Sequence, residues 1–216
     1  MEKNKRSGKL NKLGRTLKEH ILNNKKEYII VILMFAIGIF FGVLFVNNAK
    51  EAQLIQIKEY LTSFIENLKN IEQLNNVDLI KTSLIQNILL AIIIWFFGTT
   101  VIGIPVVFGM IIYRGFCLGY TISSCITALG LSKGLLFALI SMLLQNLILV
   151  PAILAIAVSG IKLYKSIMKD KRKENIKLEI VRHILFSLLM LILVIISSII
   201  EILGSTGILK LVIKYF

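Results

Sequence analysis

Cysteine, histidine and deeply placed acid are scarce in this chain. Cysteine occurs twice, at Cys117 and Cys125, eight positions apart in one apolar run. That is about 12 Å along a helix, too far to bridge, so no disulfide framework exists. Histidine also occurs twice, at His20 and His183, and neither stands at a metal-ligand spacing. There is no H-E-x-x-H, no P-loop and no G-x-S-x-G. The usual frameworks for metal-assisted hydrolysis, nucleotide binding and serine catalysis are therefore missing. Glu201 closes the last apolar run and reads as interfacial. No catalytic residue, no metal site and no cofactor is expected, and the chain reads as a non-enzyme.

Polar residues are short as well. The chain is 56% hydrophobic, where soluble domains reach roughly 45–50%. Too little polar surface remains to face water all round, so the solvent is lipid. Charge-free runs extend over Tyr28–Ala49, Thr82–Tyr113, Gly115–Ser132, Gly134–Ile161 and Ile184–Ile200. A crossing needs about 20 apolar residues, with about 17 at the lower edge. The expected fold is all-α, a polytopic helical bundle with spans at about 28–49, 83–112, 115–132, 134–161 and 184–203. The first run is longer than a cleavable signal core and no A-x-A-like site follows it, so it reads as a retained anchor.

The net charge of +13 would suggest nucleic acid in a soluble protein. Here the placement of charge says more. Residues 1–27 and 162–183 are rich in Lys and Arg, whereas the 47–82 segment balances four lysines with five acids. The positive-inside rule puts the first two segments in the cytoplasm and the third outside. The chain then divides into a basic amphipathic segment, 1–27, and one transmembrane domain, 28–216, with an outer loop at 50–81 and an inner basic loop at 162–183. The N-terminus is in and the C-terminus out. An odd number of crossings must fit between 82 and 161, and three fit if Arg114 is an inner turn and Lys133 an outer one. Arg114 could instead be a working charge inside the membrane. The crossing count favours a snorkelling turn residue.

Gly38-x-x-x-Gly42 and Gly115-x-x-x-Gly119 are helix-packing spacings, because small residues let backbones approach closely in lipid. The second run is too long for a straight crossing and holds Gly98, Gly103 and Pro105, so a bend is expected near "VIGIP". Pro151 should bend the fourth span. Gln145 and Asn146 should face protein and hydrogen-bond across helices. Broken helices of this kind can also hold a substrate site.

In the outer loop Leu54, Ile57, Leu61, Phe64, Leu68 and Ile71 are spaced 3, 4, 3, 4, 3. That seam predicts an external amphipathic helix from about Lys50 to Leu74. Its stripe needs cover from lipid, from the spans or from another protein, and Leu54, Ile57, Leu61, Phe64 and Leu68 are the candidate partner-docking residues. Leu10, Leu13, Leu17 and Ile21 form a similar stripe among lysines, suited to an anionic membrane surface. The bilayer is the implied partner of these basic segments, and nucleic acid is not.

"WFFGTTVIGIPVVFG" (95–109), "RGFCLGYT" (114–121), "LLQNLILVPAIL" (143–154) and "FFGVLFVNN" (40–48) together resemble the stage II sporulation protein M family of endospore-forming bacteria. The basic start, the outer loop and the late Glu201 follow the same order. A wider group of similar membrane proteins often has an acid two residues before the fourth-span proline; here that position is Leu149, which weakens any proton relay. The resemblance implies five spans in the mother-cell membrane and a part in engulfment of the forespore. It implies a non-enzymatic scaffold that anchors a peptidoglycan-degrading complex at the septum with stage II sporulation proteins D and P. It also makes Arg114 the first letter of an R-G-x-x-x-G packing motif. The competing reading is a transport or channel subunit built on bent helices at Pro105 and Pro151. Oligomeric state is not legible.

Overall fold

The computed structural model describes residues 18–69, 76–100, 102–169 and 173–212, with side chains over 18–66, 81–100, 102–142, 145–168 and 176–201. The elements are α1 (Lys25–Asn47), α2 (Glu51–Lys69), α3 (Asn76–Gly98), α4 (Ile104–Leu129), α5 (Leu131–Lys169) and α6 (Lys173–Val212). Among the described residues five stretches are long and apolar enough to cross a membrane: Lys25–Asn47, Lys81–Gly98, Ile104–Leu129, Gln145–Met168 and Ile176–Glu201. Leu10, Leu13, Leu17 and Ile71, and the side chain of Leu68, lie outside the described residues.

The bundle is organised around α5. Its crossing stretch is 67% buried, against 22–33% for the other four. Leu149, Ala152, Ile153, Ile156, Ala157 and Val158 of α5 are almost fully covered, packed with Val31, Ile94, Val107, Ile111, Met190 and Val194 of its neighbours. The outer faces remain apolar: Phe40, Phe41, Leu89, Phe96 and Leu185 are all more than half exposed. Such a surface belongs against hydrocarbon.

Contacts fix the helix directions. Gly38 and Gly42 meet Ile112 and Phe116 in rising order, so α1 and α4 run parallel. Arg114 meets Asn146, and Cys125 lies at Gly134, so α4 and α5 are opposed. Ser159 meets His183 and Gln145 meets Glu201, so α5 and α6 are opposed. Asn87 on Ser198 and Gly98 beside His183 oppose α3 to α6. The crossing stretches therefore alternate, α1, α4 and α6 one way and α3 and α5 the other.

The long apolar run at 82–113 is divided where its small polar residues lie. Thr99 Oγ1 donates to Phe96 O at 2.6 Å and Thr100 Oγ1 to Phe97 O at 3.0 Å, closing the end of α3. Pro105 stands in the first turn of α4, where its missing N–H leaves no bond broken. A Cβ at Gly103 would fall on Phe97 O, so the connection is too tight for a side chain. This corrects the expected spans at 83–112 and 115–132. Pro105 starts a helix instead of bending one, and α4 passes uninterrupted through Arg114, which is no turn residue. The turn between α4 and α5 is at Gly130, at φ +82°, where the left-handed region suits glycine. Lys133 follows inside the first turn of α5. Pro151 lies within α5, which is one helix on both sides of it.

Candidate functional site

The closest contact in the bundle is the α1–α4 face. A Cβ at Gly38 would collide with Ile112 O, and one at Gly42 with Phe116 O. From the other side, Gly115 would strike Phe35 O and Gly119 would strike Ile39 O. Four glycines thus put backbone on backbone. A second crossing joins Gly98 to Gly160, where a Cβ on Gly160 would stand 2.8 Å from Gly98 Cα. Gly134 closes the α4–α5 hairpin against Cys125 O. The expected packing glycines Gly38, Gly42, Gly98, Gly115 and Gly119 all lie at such contacts, and Gly103 lies in the tight connection. Gly134 and Gly160 join them: Gly160 has no glycine four residues away, and Gly134 has one only in Gly130, across Lys133 in the hairpin turn.

Polar side chains meet inside the apolar bundle. Arg114 Nη2 donates to Asn146 Oδ1 at 3.1 Å. Ser83 Oγ donates to Glu201, and the Gln145 amide faces the same carboxylate. Asn87 Nδ2 donates to Ser198 Oγ at 3.0 Å and to Ser83 Oγ at 3.2 Å. Asn87, Gln145, Asn146 and Ser198 are buried. Ser83, Asn87 and Ser198 carry no special spacing, and only their convergence in space reveals them. Glu201, read as interfacial, is held by a hydrogen bond from Ser83 of α3 and faces Gln145 of α5.

The end of the bundle at the start of α1 is tied by charge. Lys165 pairs with Glu27 at 2.6 Å, and Glu179 pairs with both Arg182 at 2.7 Å and Lys162 at 3.4 Å. Exposed pairs like these contribute little each. His183 is 2% exposed, with Nδ1 2.9 Å from Ser159 Oγ. His20 stacks on Phe186 with centroids 4.1 Å apart and meets the Tyr28 hydroxyl at 3.2 Å. Burial, and secondarily Lys162, push its imidazole down to about 4, so it is neutral at physiological pH.

At the opposite end α2 lies on the α4–α5 hairpin. Leu61 and Ile65 are buried against Cys125, Phe137 and Ala138, with Ile57 beside them. Leu54 and Ile57 are half-buried. Phe64 is 41% exposed and Tyr60 72%. Part of the stripe is therefore covered by the spans, and the seam runs 54, 57, 61, 65. A cleft of about 360 Å³ separates α2 from α1 and α4, lined by Phe45, Gln53, Gln56, Tyr60, Tyr120 and Ser124 among others. No group of three or more His, Cys, Asp and Glu stands together among the described residues.

No curated protein and no solved structure matches this chain. The family model for Stage II sporulation protein M matches residues 31–205, from within the first third of α1 to just past the last crossing stretch. Every glycine contact, the polar interior and the α2 ledge fall inside that range. A match over most of the chain, on a five-span helical bundle, makes this protein a member of the SpoIIM family, a family of non-catalytic membrane proteins.

Proposed function

We propose that this protein is a non-enzymatic membrane scaffold that anchors a peptidoglycan-degrading complex at the sporulation septum during engulfment. The N-terminus is cytoplasmic and the C-terminus outside, by the positive-inside rule applied to residues 1–27 and 162–183. The membrane is that of the mother cell. Stage II sporulation proteins D and P are the partners, supplying the wall-cleaving chemistry, and the basic segments lie against lipid.

One observation carries this reading. Helix α2 is fastened to the bundle by Leu61 and Ile65, and it still holds Tyr60 and Phe64 outward. Aromatic side chains on a rigid support are what a docking ledge needs, since large aromatics dominate contact energies. The docking residues are thus Tyr60, Phe64 and the outer edge of the 54–68 stripe, with the buried Leu61 acting as a fastener. Transport has less support, because the bend assumed at Pro105 is the start of a helix.

The test is the Tyr60→Ser/Phe64→Ser double variant in sporulating cells. Burying a Phe-sized side chain is worth roughly 1.5–3 kcal/mol, so co-purification of proteins D and P should fall by well over about tenfold, with protein level unchanged. Septal recruitment of those proteins, followed by fluorescence, should fall with it. Normal recruitment at normal protein level would remove α2 as the docking element.

A further inference from the structure

Arg114 lies at the level of the middle of α1, because its neighbour Gly115 packs on Phe35 and Gly38, within Lys25–Asn47. A charge at that depth faces hydrocarbon unless another charge answers it. Guanidinium does not shed its proton in proteins, so it keeps its charge at that depth and needs polar or charged partners there. Asn146 takes one of its donors, at 3.1 Å. Its Nε is buried with no hydrogen-bond acceptor among the described residues. The acid within electrostatic reach is Glu201 of α6.

The connection between them is built on α5. Gln145 and Asn146 are consecutive; the first faces Glu201 and the second accepts from Arg114. Ser83 of α3 donates to the same carboxylate. Asn87 ties Ser83 to Ser198, one turn before Glu201. Four helices therefore contribute to one polar layer. We propose that Arg114 and Glu201 form a membrane-embedded charge pair, bridged by the adjacent amides of Gln145 and Asn146, that locks α6 to α4 across α5. A carboxylate among hydroxyl and amide oxygens would otherwise suit a monovalent cation. Arg114 supplies the positive charge that such an ion would bring.

The two charges differ in a way that makes the proposal testable. Glu201→Gln keeps the shape and the hydrogen bonding of its side chain, yet strands a guanidinium that cannot neutralise itself. Arg114→Gln strands a carboxyl group that can take up a proton. Glu201→Gln should therefore harm the protein more than Arg114→Gln, and the double variant should recover most of the loss. The measurement is the unfolding midpoint of the full chain in detergent, with the amount retained in the cell membrane as a second readout. Glu201→Gln should lower the midpoint by at least a few degrees, on the order of 2–4 °C or more, and reduce the retained amount at least about twofold. If it cannot be purified, the retained amount alone compares the three variants. Two losses that simply add in the double variant would overturn the proposal, as would an innocuous Glu201→Gln. A wild-type midpoint that rises when sodium replaces choline would also overturn it, in favour of a cation site.

Discussion

A methyl group added at Gly119 would land on the Ile39 carbonyl, whereas one added at Gly109 would meet nothing within 4 Å. The pair makes an internal control. Gly119→Leu should destabilise the bundle by about 1–3 kcal/mol or more, seen as a lower detergent unfolding midpoint. Gly109→Leu, which faces outward on the same helix, should leave it near wild type. Equal effects would show that helix propensity, and not the α1 contact, decides. His20 gives a pH prediction. Its folded value of about 4 lies below the unfolded value of about 6.5, so the unfolded chain binds more protons between the two. Its contribution is intact above pH ~6.5 and is lost as pH falls toward ~4. Unfolding midpoints between those limits should drop more steeply for wild type than for His20→Gln; parallel curves would refute the neutral-histidine account. The glycine spacings could be read from sequence because their period is local. Arg114 could not, because a lone charge between two apolar runs looks the same at a turn and in mid-helix. What distinguishes them is Asn146, on another helix.

Helix α2 shows how far a period can be trusted. The apolar positions 54, 57, 61, 64, 68 suggest a heptad seam, but the buried positions are 61 and 65. A straight helix has 3.6 residues per turn, so a contact stripe drifts from a strict seven-residue repeat. Which apolar residue is buried then depends on the surface beneath, here the α4–α5 hairpin. Ile65→Ala should loosen α2 from the bundle, losing up to about 2–5 kcal/mol of packing. Hydrogen exchange across 51–66 should speed up. Phe64→Ala should leave exchange nearly unchanged, and the reverse order would assign the seam to the heptad. The α3–α4 junction was half legible. Glycine and proline at 98–105 marked a disturbance, but proline serves equally well to kink one helix or to open the next. The threonine caps at Thr99 and Thr100 decide for the second.

At the scale of the whole molecule, composition and charge-free runs were enough for an all-α membrane bundle with five crossings. They could not say that α5 is the central helix, because every span is apolar all round in sequence and burial depends on neighbours. The alternating helix directions put the start of α1 and the end of α6 at opposite ends of the bundle, and the basic segments supply the proposed orientation. The boundary between the second and third crossings is where this account departs most from a reading by charge alone, and it separates a turn at Arg114 from a charge held inside the membrane. Single cysteines in a Cys117→Ala/Cys125→Ala background test it, using a maleimide that does not cross membranes. Ile102→Cys, at a position 88% exposed in the α3–α4 connection, should label from the cytoplasmic side only. Tyr113→Cys, on the lipid-facing side of mid-α4, should label from neither side. Labelling at 113 from the cytoplasm, with 102 protected, would restore the turn at Arg114 and contradict the fold, the charge pair and the topology together.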